Sequence, residues 1–403
     1  MLRSLKNWRL FKKDKLKSRY EVVVIGAGVH GLSTAYHLAK RGINNVAVFD
    51  KSYLGGGSSG RNTQIIRANT RLPESTKFYK EALEGYEKLS KEVNLNLLIN
   101  QCGHLTLAHS EFELDVLRLR AQSNRKLGVD SRVIGKDEIK ELVPYIDLSE
   151  NKRFPIVGAL WHPRGGNIRH DAVVWGYASV ANKLGVEIYT HSEVKDIKKE
   201  GNEVRSIIVN GEEVKCNYVI NATAGWCSTV AKMVDIKLPI TTIPLQACVS
   251  EPLKPFMNVV LVSVRLAAYF YQTERGEFVM GAEIDPYPSY SYRSTLPTLE
   301  NIATAIIELV PCLSQVKVIR QWAGICDLTP DFSPIMGEVP EVKGFLLNVG
   351  WGTYGFKTAP ASGKALAELI ATGKTPELIK PFSITRFYEN RLMDEKASAQ
   401  TAH

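Results

Sequence analysis

Three glycines within Gly26-Ala27-Gly28-Val29-His30-Gly31 are spaced to bring backbone against a pyrophosphate. Gly26 permits a tight turn, Gly28 lets the chain approach the phosphates, and Gly31 lets a helix pack closely on a strand. Asp50, 19 residues after Gly31, is placed to accept hydrogen bonds from an adenosine ribose, and an aspartate there favours a 2′-hydroxyl over a 2′-phosphate. The motif carries weight only within a βαβ unit. The apolar run 20–25 before it, a helical pattern over 32–41 ended by Gly42, and a second apolar run at 46–49 supply that unit. His30 is expected on the helix surface.

Further small-residue turns follow at positions that a bound dinucleotide would need. Residues 55–63 (GGGSSGRNT) come directly after the second strand and offer backbone N–H groups to another phosphate or to a flavin edge. Gly57, Ser58, Arg61, Asn62 and Thr63 are candidate cofactor contacts there, with Lys51 just upstream and Val194 further along. After hairpin signals at Gly201-Asn202 and Asn210-Gly211, a strand over 218–220 runs into Asn221-Ala222-Thr223-Ala224-Gly225-Trp226. Thr223, Gly225 and Trp226 are placed to meet the dinucleotide from its other side. Hairpins inserted before a returning strand do not match nicotinamide-enzyme organisation, so the dinucleotide is expected to be FAD. A third unit joins a strand over 345–349 to Gly350-Trp351-Gly352-Thr353-Tyr354-Gly355-Phe356-Lys357 and a helix over 360–370, with Pro360 in its first turn. That helix would aim its positive end at the flavin pyrimidine, with Gly352, Gly355 and Phe356 in the turn before it.

The chain of 403 residues, 44% apolar and 23% charged, is long enough to bury a large core and to divide into about two domains. No run of about 18 apolar residues occurs, so no membrane span is expected. Six cysteines, Cys102, Cys216, Cys227, Cys248, Cys312 and Cys326, stand apart without a CxxC pair, which suits reduced thiols and implies no metal. The net charge of +9 would suit nucleic acid, but much of the excess sits in Arg3, Lys6, Arg9, Lys12, Lys13, Lys15, Lys17 and Arg19, against Asp14 alone. The body is near neutral and no nucleic-acid partner is expected. Lacking an apolar h-region or cleavage site, the basic leader does not read as a secretory signal, and a cytoplasmic protein is expected. The spacing of Leu5, Leu10, Phe11 and Leu16 makes that leader a candidate docking arm for another subunit.

The expected fold is α/β: a Rossmann-like FAD-binding domain, which through its three cofactor turns resembles the glutathione-reductase/D-amino-acid-oxidase type, with a discontinuous mixed-sheet α+β catalytic domain. The expected division is a leader over 1–18, an FAD domain from 19–92, 155–230 and 320–390, a catalytic domain from 93–154 and 231–319, and a tail over 391–403. Runs 76–93 and 111–127 read as amphipathic helices, and 172–184 reads as a helix.

The three cofactor turns in this order resemble the D-amino-acid-oxidase group of FAD enzymes, and within it the β subunits of heterotetrameric sarcosine oxidases. The resemblance covers nearly the whole chain. It rests on 55–69 (GGGSSGRNTQIIRAN), 164–177 (RGGNIRHDAVVWGY), 281–290 (GAEIDPYPSY), 350–357 (GWGTYGFK) and the closing Ala-His. It implies that Arg67 and Lys357 bind the substrate carboxylate, a role that suits a bidentate guanidinium and a second cation. It also implies that His170 carries covalent FMN and that α, γ and δ subunits complete the oxidase; Gly165-Gly166 just before His170 would by themselves let backbone approach a bulky ligand. From the residues alone, His170-Asp171 reads as the N-terminus of a helix with Asp171 capping it.

Two departures from the wider group bear on function. Gly324 stands where monomeric relatives attach FAD through a cysteine, with Cys326 out of step, so FAD is expected to be non-covalent. The stretch 269–283 holds no lysine of the kind those relatives use to activate oxygen. The expected reaction is oxidation of a secondary amino acid, foremost sarcosine to glycine and formaldehyde, with the hydride going to FAD and electrons passing on to FMN. An FAD subunit of a proline, hydroxyproline or dimethylglycine dehydrogenase and a non-catalytic flavin-binding scaffold are the alternatives. Asp285, Tyr287 and Tyr290 are possible pocket residues in a loop that also reads as a structural turn.

Overall fold

The computed structural model describes residues 15–395, with the side chains of residues 282 and 283 left out. Most of the basic leader and the closing Ala-His lie outside the described residues. Val22–Ile25, entirely apolar, forms a strand buried on both faces, as parallel sheets covered on both sides require. It pairs in parallel with Val46–Phe49 and with Tyr218–Asn221. Glu187–Tyr189 extends the sheet beyond one partner and Val342–Val349 beyond the other. Hairpin strands at Val194–Glu200, Glu203–Val209, Glu212–Lys215 and Ile335–Val339 complete a nine-stranded sheet.

Alternation along these strands divides two cores. Val22, Val24, Val46 and Val48 face the helices Val29–Lys40, Pro73–Val93, His170–Lys183 and Ala359–Thr372, whereas Val23, Ala47 and Phe49 face the hairpin side. The Val29–Lys40 and Ala359–Thr372 helices are joined by polar contacts: Ser33 Oγ donates to Ala359 O at 2.8 Å. A Cβ on Gly363 would lie 2.3 Å from Ser33 Oγ, so this approach requires glycine.

The second sheet has eight mixed strands, in the order Val318–Leu328, Thr241–Ser250, Phe278–Ile284, Ala268–Gln272, Val260–Ser263, His104–Ala108, Gly158–His162, Arg132–Ile134. One face packs against the helix Leu296–Leu309 through Phe270, Phe278 and Met280. The opposite face carries Val260, Val262, Tyr271 and Val279.

Two expected segments belong elsewhere. Gly158–His162 and residues 320–328 of the Val318–Leu328 strand, which the sequence places in the FAD domain, pair with His104–Ala108 and Thr241–Ser250 in the second sheet. Their partners are far off in sequence, so local pattern carried no sign of the pairing. The helix expected from residue 172 begins at His170, with Asp171 accepting from Ala172 N–H at 2.8 Å and pairing with Arg169. Gly165 and Gly166 are spent on chain packing, since added Cβ atoms would lie 2.6 Å from His104 Cβ and 1.9 Å from Asn100 O.

Candidate active site

A cavity of about 480 Å³ is lined by residues of both sheets. At one end Gly26 turns with φ +110°, and a Cβ there would lie 2.4 Å from Ala222 O. The Val29–Lys40 helix begins at this turn with its N-cap at Gly28, so its first turn and positive end line the cavity. The glycine cluster after the second strand folds back onto this turn. Ser59 Oγ accepts from Val29 N–H at 2.9 Å, and Gly55 N–H donates to Ala27 O at 3.0 Å. Asp50 accepts from Ala27 N–H at 2.7 Å and from Ser52 N–H at 2.7 Å. Burial raises its carboxyl, partly offset by those two N–H groups. Space beside Gly57 is open, and Ser58 Oγ anchors the cluster to Ile325 O at 2.6 Å.

In the middle, Asp327 lines the cavity and accepts from Gly350 N–H at 2.6 Å and Gly352 N–H at 3.3 Å. Both glycines have left-handed φ, +73° and +53°. Burial pushes the Asp327 carboxyl up to about 6. His30 is not a surface residue: its ring stacks on Trp351 at 4.3 Å and its Nδ1 pairs with Ser362 Oγ at 2.7 Å. Burial pushes that imidazole down to about 3, so it stays neutral.

The far end gathers Arg67 and Lys357, 67 from the short pairing of Ile65–Ile66 with Gly166–Asn167, 357 from the turn before the Ala359–Thr372 helix. Both are buried, and both lie against the Tyr354 ring, the guanidinium 5.6 Å and the ammonium 4.8 Å from its centroid. Arg67 Nη1 donates to Asn69 O at 2.8 Å and to Asn69 Oδ1 at 3.1 Å. Burial, with Arg67 adding repulsion, holds the Lys357 ammonium well below its usual range. An anion is the ligand that relieves both effects. His162 steadies the strand that carries Arg67 by accepting from Ala68 N–H at 3.3 Å.

Of the residues expected at a cofactor or substrate, Gly26, Gly28, Asp50, Lys51, Gly57, Ser58, Arg61, Asn62, Thr63, Arg67, Val194, Thr223, Trp226, Gly352, Gly355, Phe356 and Lys357 line this cavity. Gly31, Gly225 and His170 do not. Gly31 and Gly225 serve packing, since added Cβ atoms would lie 2.0 Å from Gly26 O and 2.3 Å from Ile325 Cγ2. His170 lies behind the cavity wall, its ring edge-on to Phe356 at 6.5 Å, and its buried Nδ1 has no hydrogen-bond partner. Sequence reasoning missed His104, Tyr269, Tyr292 and Asp327 as lining residues. Tyr269 fits only because Gly281 faces it, a Cβ there falling 2.2 Å from Tyr269 Oη.

The model of the FAD-dependent oxidoreductase family named DAO matches residues 21–369. The chain belongs to this family. Among curated members it is 41% identical over 388 residues to the sarcosine oxidase subunit beta of Rhodobacter capsulatus, covering 96% of this chain and 93% of that one. It is 38% identical over 395 residues to the sarcosine oxidase subunit beta of an Arthrobacter species, covering 98% and 97%. Among solved structures, L-proline dehydrogenase from P. horikoshii superposes with a TM-score of 0.89 at 30% identity, covering 94% of this chain and 100% of that one. Among the described residues, no helix is long and apolar enough to cross a membrane and no group of side chains is arranged to hold a metal.

Proposed function

We propose that this chain is the FAD-bearing β subunit of a heterotetrameric sarcosine oxidase, oxidising N-methylglycine to glycine and formaldehyde. The observation that carries the reading is the convergence of Arg67 and Lys357 on one end of the cavity that the family's cofactor turns line. The cavity fits FAD: a helix N-terminus and open glycine backbone for the phosphates, the Asp50 carboxylate for the ribose, and room extending to the two cations. Bound there, FAD supplies the acceptor for the substrate's hydride.

The protein's own part is placement. Arg67 and Lys357 hold the carboxylate, which fixes the amine and its N-methyl group relative to the wall formed by Tyr269 and Val262. The substrate carboxylate restores full charge to Lys357, so ligand and ammonium stabilise each other. Removing either cation leaves a desolvated carboxylate under-compensated and costs about 2–5 kcal/mol. Lys357→Met and Arg67→Met should therefore slow anaerobic bleaching of the flavin by sarcosine by well over tenfold, while dithionite bleaches all three proteins alike. Wild-type rates with sarcosine in both variants would refute the clamp.

Covalent FMN at His170 belongs to the same proposal, as do α, γ and δ partner subunits and a non-covalent FAD. His170 supports it by lying outside the cavity, with an unpartnered Nδ1 and its ring edge-on to Phe356, a residue of the cavity wall. Burial lowers its pKa, which leaves the imidazole neutral and nucleophilic. The buried Cys326 thiol, pushed up to about 12, makes a poor flavin attachment point. Acid precipitation of the co-expressed complex should release FAD and retain FMN, and His170→Asn should lose the FMN alone. A precipitate of that variant that stays yellow would place the attachment elsewhere. The similarity to L-proline dehydrogenase favours a second reading, proline oxidation, which the same anaerobic assay separates by exchanging sarcosine for proline.

A further inference from the structure

One fully buried side chain, Gln246, braces both ends of the loop that follows the Phe278–Ile284 strand. Its Nε2 donates to Asp285 Oδ1 at 2.8 Å, and its Oε1 accepts from Thr295 N–H at 2.8 Å. Between those ends, Asp285 N–H donates to Pro244 O at 2.9 Å and Ser289 N–H to Thr242 O at 3.0 Å. The loop is thereby laid along the Thr241–Ser250 strand of the second sheet, and its tip reaches the cofactor turns of the first. The rings of Tyr290 and Tyr292 lie 5.8 Å and 5.9 Å from that of Trp226. The Arg61 guanidinium stands 3.9 Å over the Tyr292 ring, and the Lys51 ammonium 3.9 Å over the Trp226 ring.

Tyr292, Trp226, Arg61 and Lys51 all line the cavity, together with Asp50 and Val194. Lys51, the neighbour of Asp50 in the chain, sits over the Trp226 ring that Tyr292 faces, which locates the cluster at the Asp50 end. Tyr290 and Tyr292 remain 49% and 36% exposed, so core packing does not account for the cluster. Aromatic faces around two cations suit a ligand with a flat π-system and a negative linker, because the rings stack on the one and the cations pair with the other.

We propose that the loop over 285–295 is part of the dinucleotide site, with Tyr290 and Tyr292 closing the adenosine-diphosphate end of the cavity against Trp226. This rests on the assignment of FAD to the cavity. It makes cofactor retention a joint property of both sheets, since the loop is rooted in the sheet that forms the substrate wall. Arg61 and Lys51, steadied on aromatic rings, are the cations that face the diphosphate.

The test uses FAD-free full-length protein, with FAD and ADP as probes. A Tyr290→Ala/Tyr292→Ala double variant should release FAD at least about tenfold faster than wild type and bind ADP weaker by a similar factor, as expected for lost aromatic cover. The Tyr290→Phe/Tyr292→Phe double variant, which keeps both rings, should behave as wild type. FAD release within twofold of wild type in the alanine variant, or weaker FAD binding with unchanged ADP binding, would overturn the loop's role while leaving the cofactor assignment standing. Failure of the wild-type protein to bind FAD would overturn both.

Discussion

Asp50 accepts hydrogen bonds as a carboxylate in a place where burial disfavours its charge. Its oxygens order the glycine turn through Ala27 N–H and the following chain through Ser52 N–H. Each oxygen keeps a lone pair for a ribose hydroxyl. Asp50→Ala should therefore weaken FAD retention by about 1–3 kcal/mol, because it unpairs two buried N–H groups and removes the ribose acceptor. Fluorescence of FAD released after dilution reads this directly, and unchanged FAD content after dialysis would contradict the role. At the opposite end Lys357 is a cation only marginally tolerated by its surroundings, which makes it responsive to the charge of whatever binds beside it.

Among the elements, the turn over 350–357 is the one most dependent on a distant partner. Its two left-handed glycines present N–H groups inward, and these converge on the carboxylate of Asp327, an anion in a backbone nest. His30 stacking on Trp351 and Trp351 Nε1 donating to Asn348 Oδ1 at 3.0 Å hold the same turn from the fingerprint side. Asp327→Ala would leave the buried N–H group of Gly350 unpaired at about 1–3 kcal/mol, while Gly352 N–H keeps its bond at 3.1 Å to the backbone carbonyl of residue 327. The variant should unfold at lower urea and, because the turn carries Lys357, should also show a raised KM for the amino acid. A stability loss with KM unchanged would mean that Lys357 is placed by its helix alone.

On the scale of the whole molecule, the chain's last described segment is latched across the FAD side by one buried ion pair. Arg386 Nε and Nη2 donate to Asp331 at 2.7 Å and 3.0 Å, and Met393 N–H adds a third bond at 3.2 Å. Beyond it, Glu395 accepts from Arg71 and Leu72 N–H at 3.1 Å each, next to the segment that carries Arg67. Burial alone would raise the Asp331 carboxyl, but the Arg386 fork outweighs it and holds the group below its ordinary value. A depressed carboxyl contributes stability above its unfolded pKa of about 3.9 and loses it as pH falls through the folded value. Arg386→Met should cost about 3–5 kcal/mol at pH 7 by stranding the carboxylate. Urea melts at pH 7 and near pH 3 should show that difference shrinking at the lower pH, and a constant difference would rule out the ion pair as its source.

The sequence alone determined the parts whose physics is local. GxGxxG between a strand and a helix, with Asp50 closing the unit, specifies a tight turn that opens a helix N-terminus toward the cavity, because glycine conformation and helix ends are properties of neighbouring residues. The turns at 55–63, 221–226 and 350–357 were legible for the same reason, whereas the assignment of Arg67 and Lys357 came from family resemblance. Tertiary structure decided what depends on contacts distant in the chain. It put Gly158–His162 and Val318–Leu328 in the second sheet, turned His30 inward onto Trp351, packed Gly225 against Ile325, and set His170 behind Phe356. It also brought Asp327 under one glycine turn and Tyr292 over another. Strand pairing and side-chain stacking join residues tens to hundreds of positions apart, and no local pattern encodes which distant partner a buried group will find.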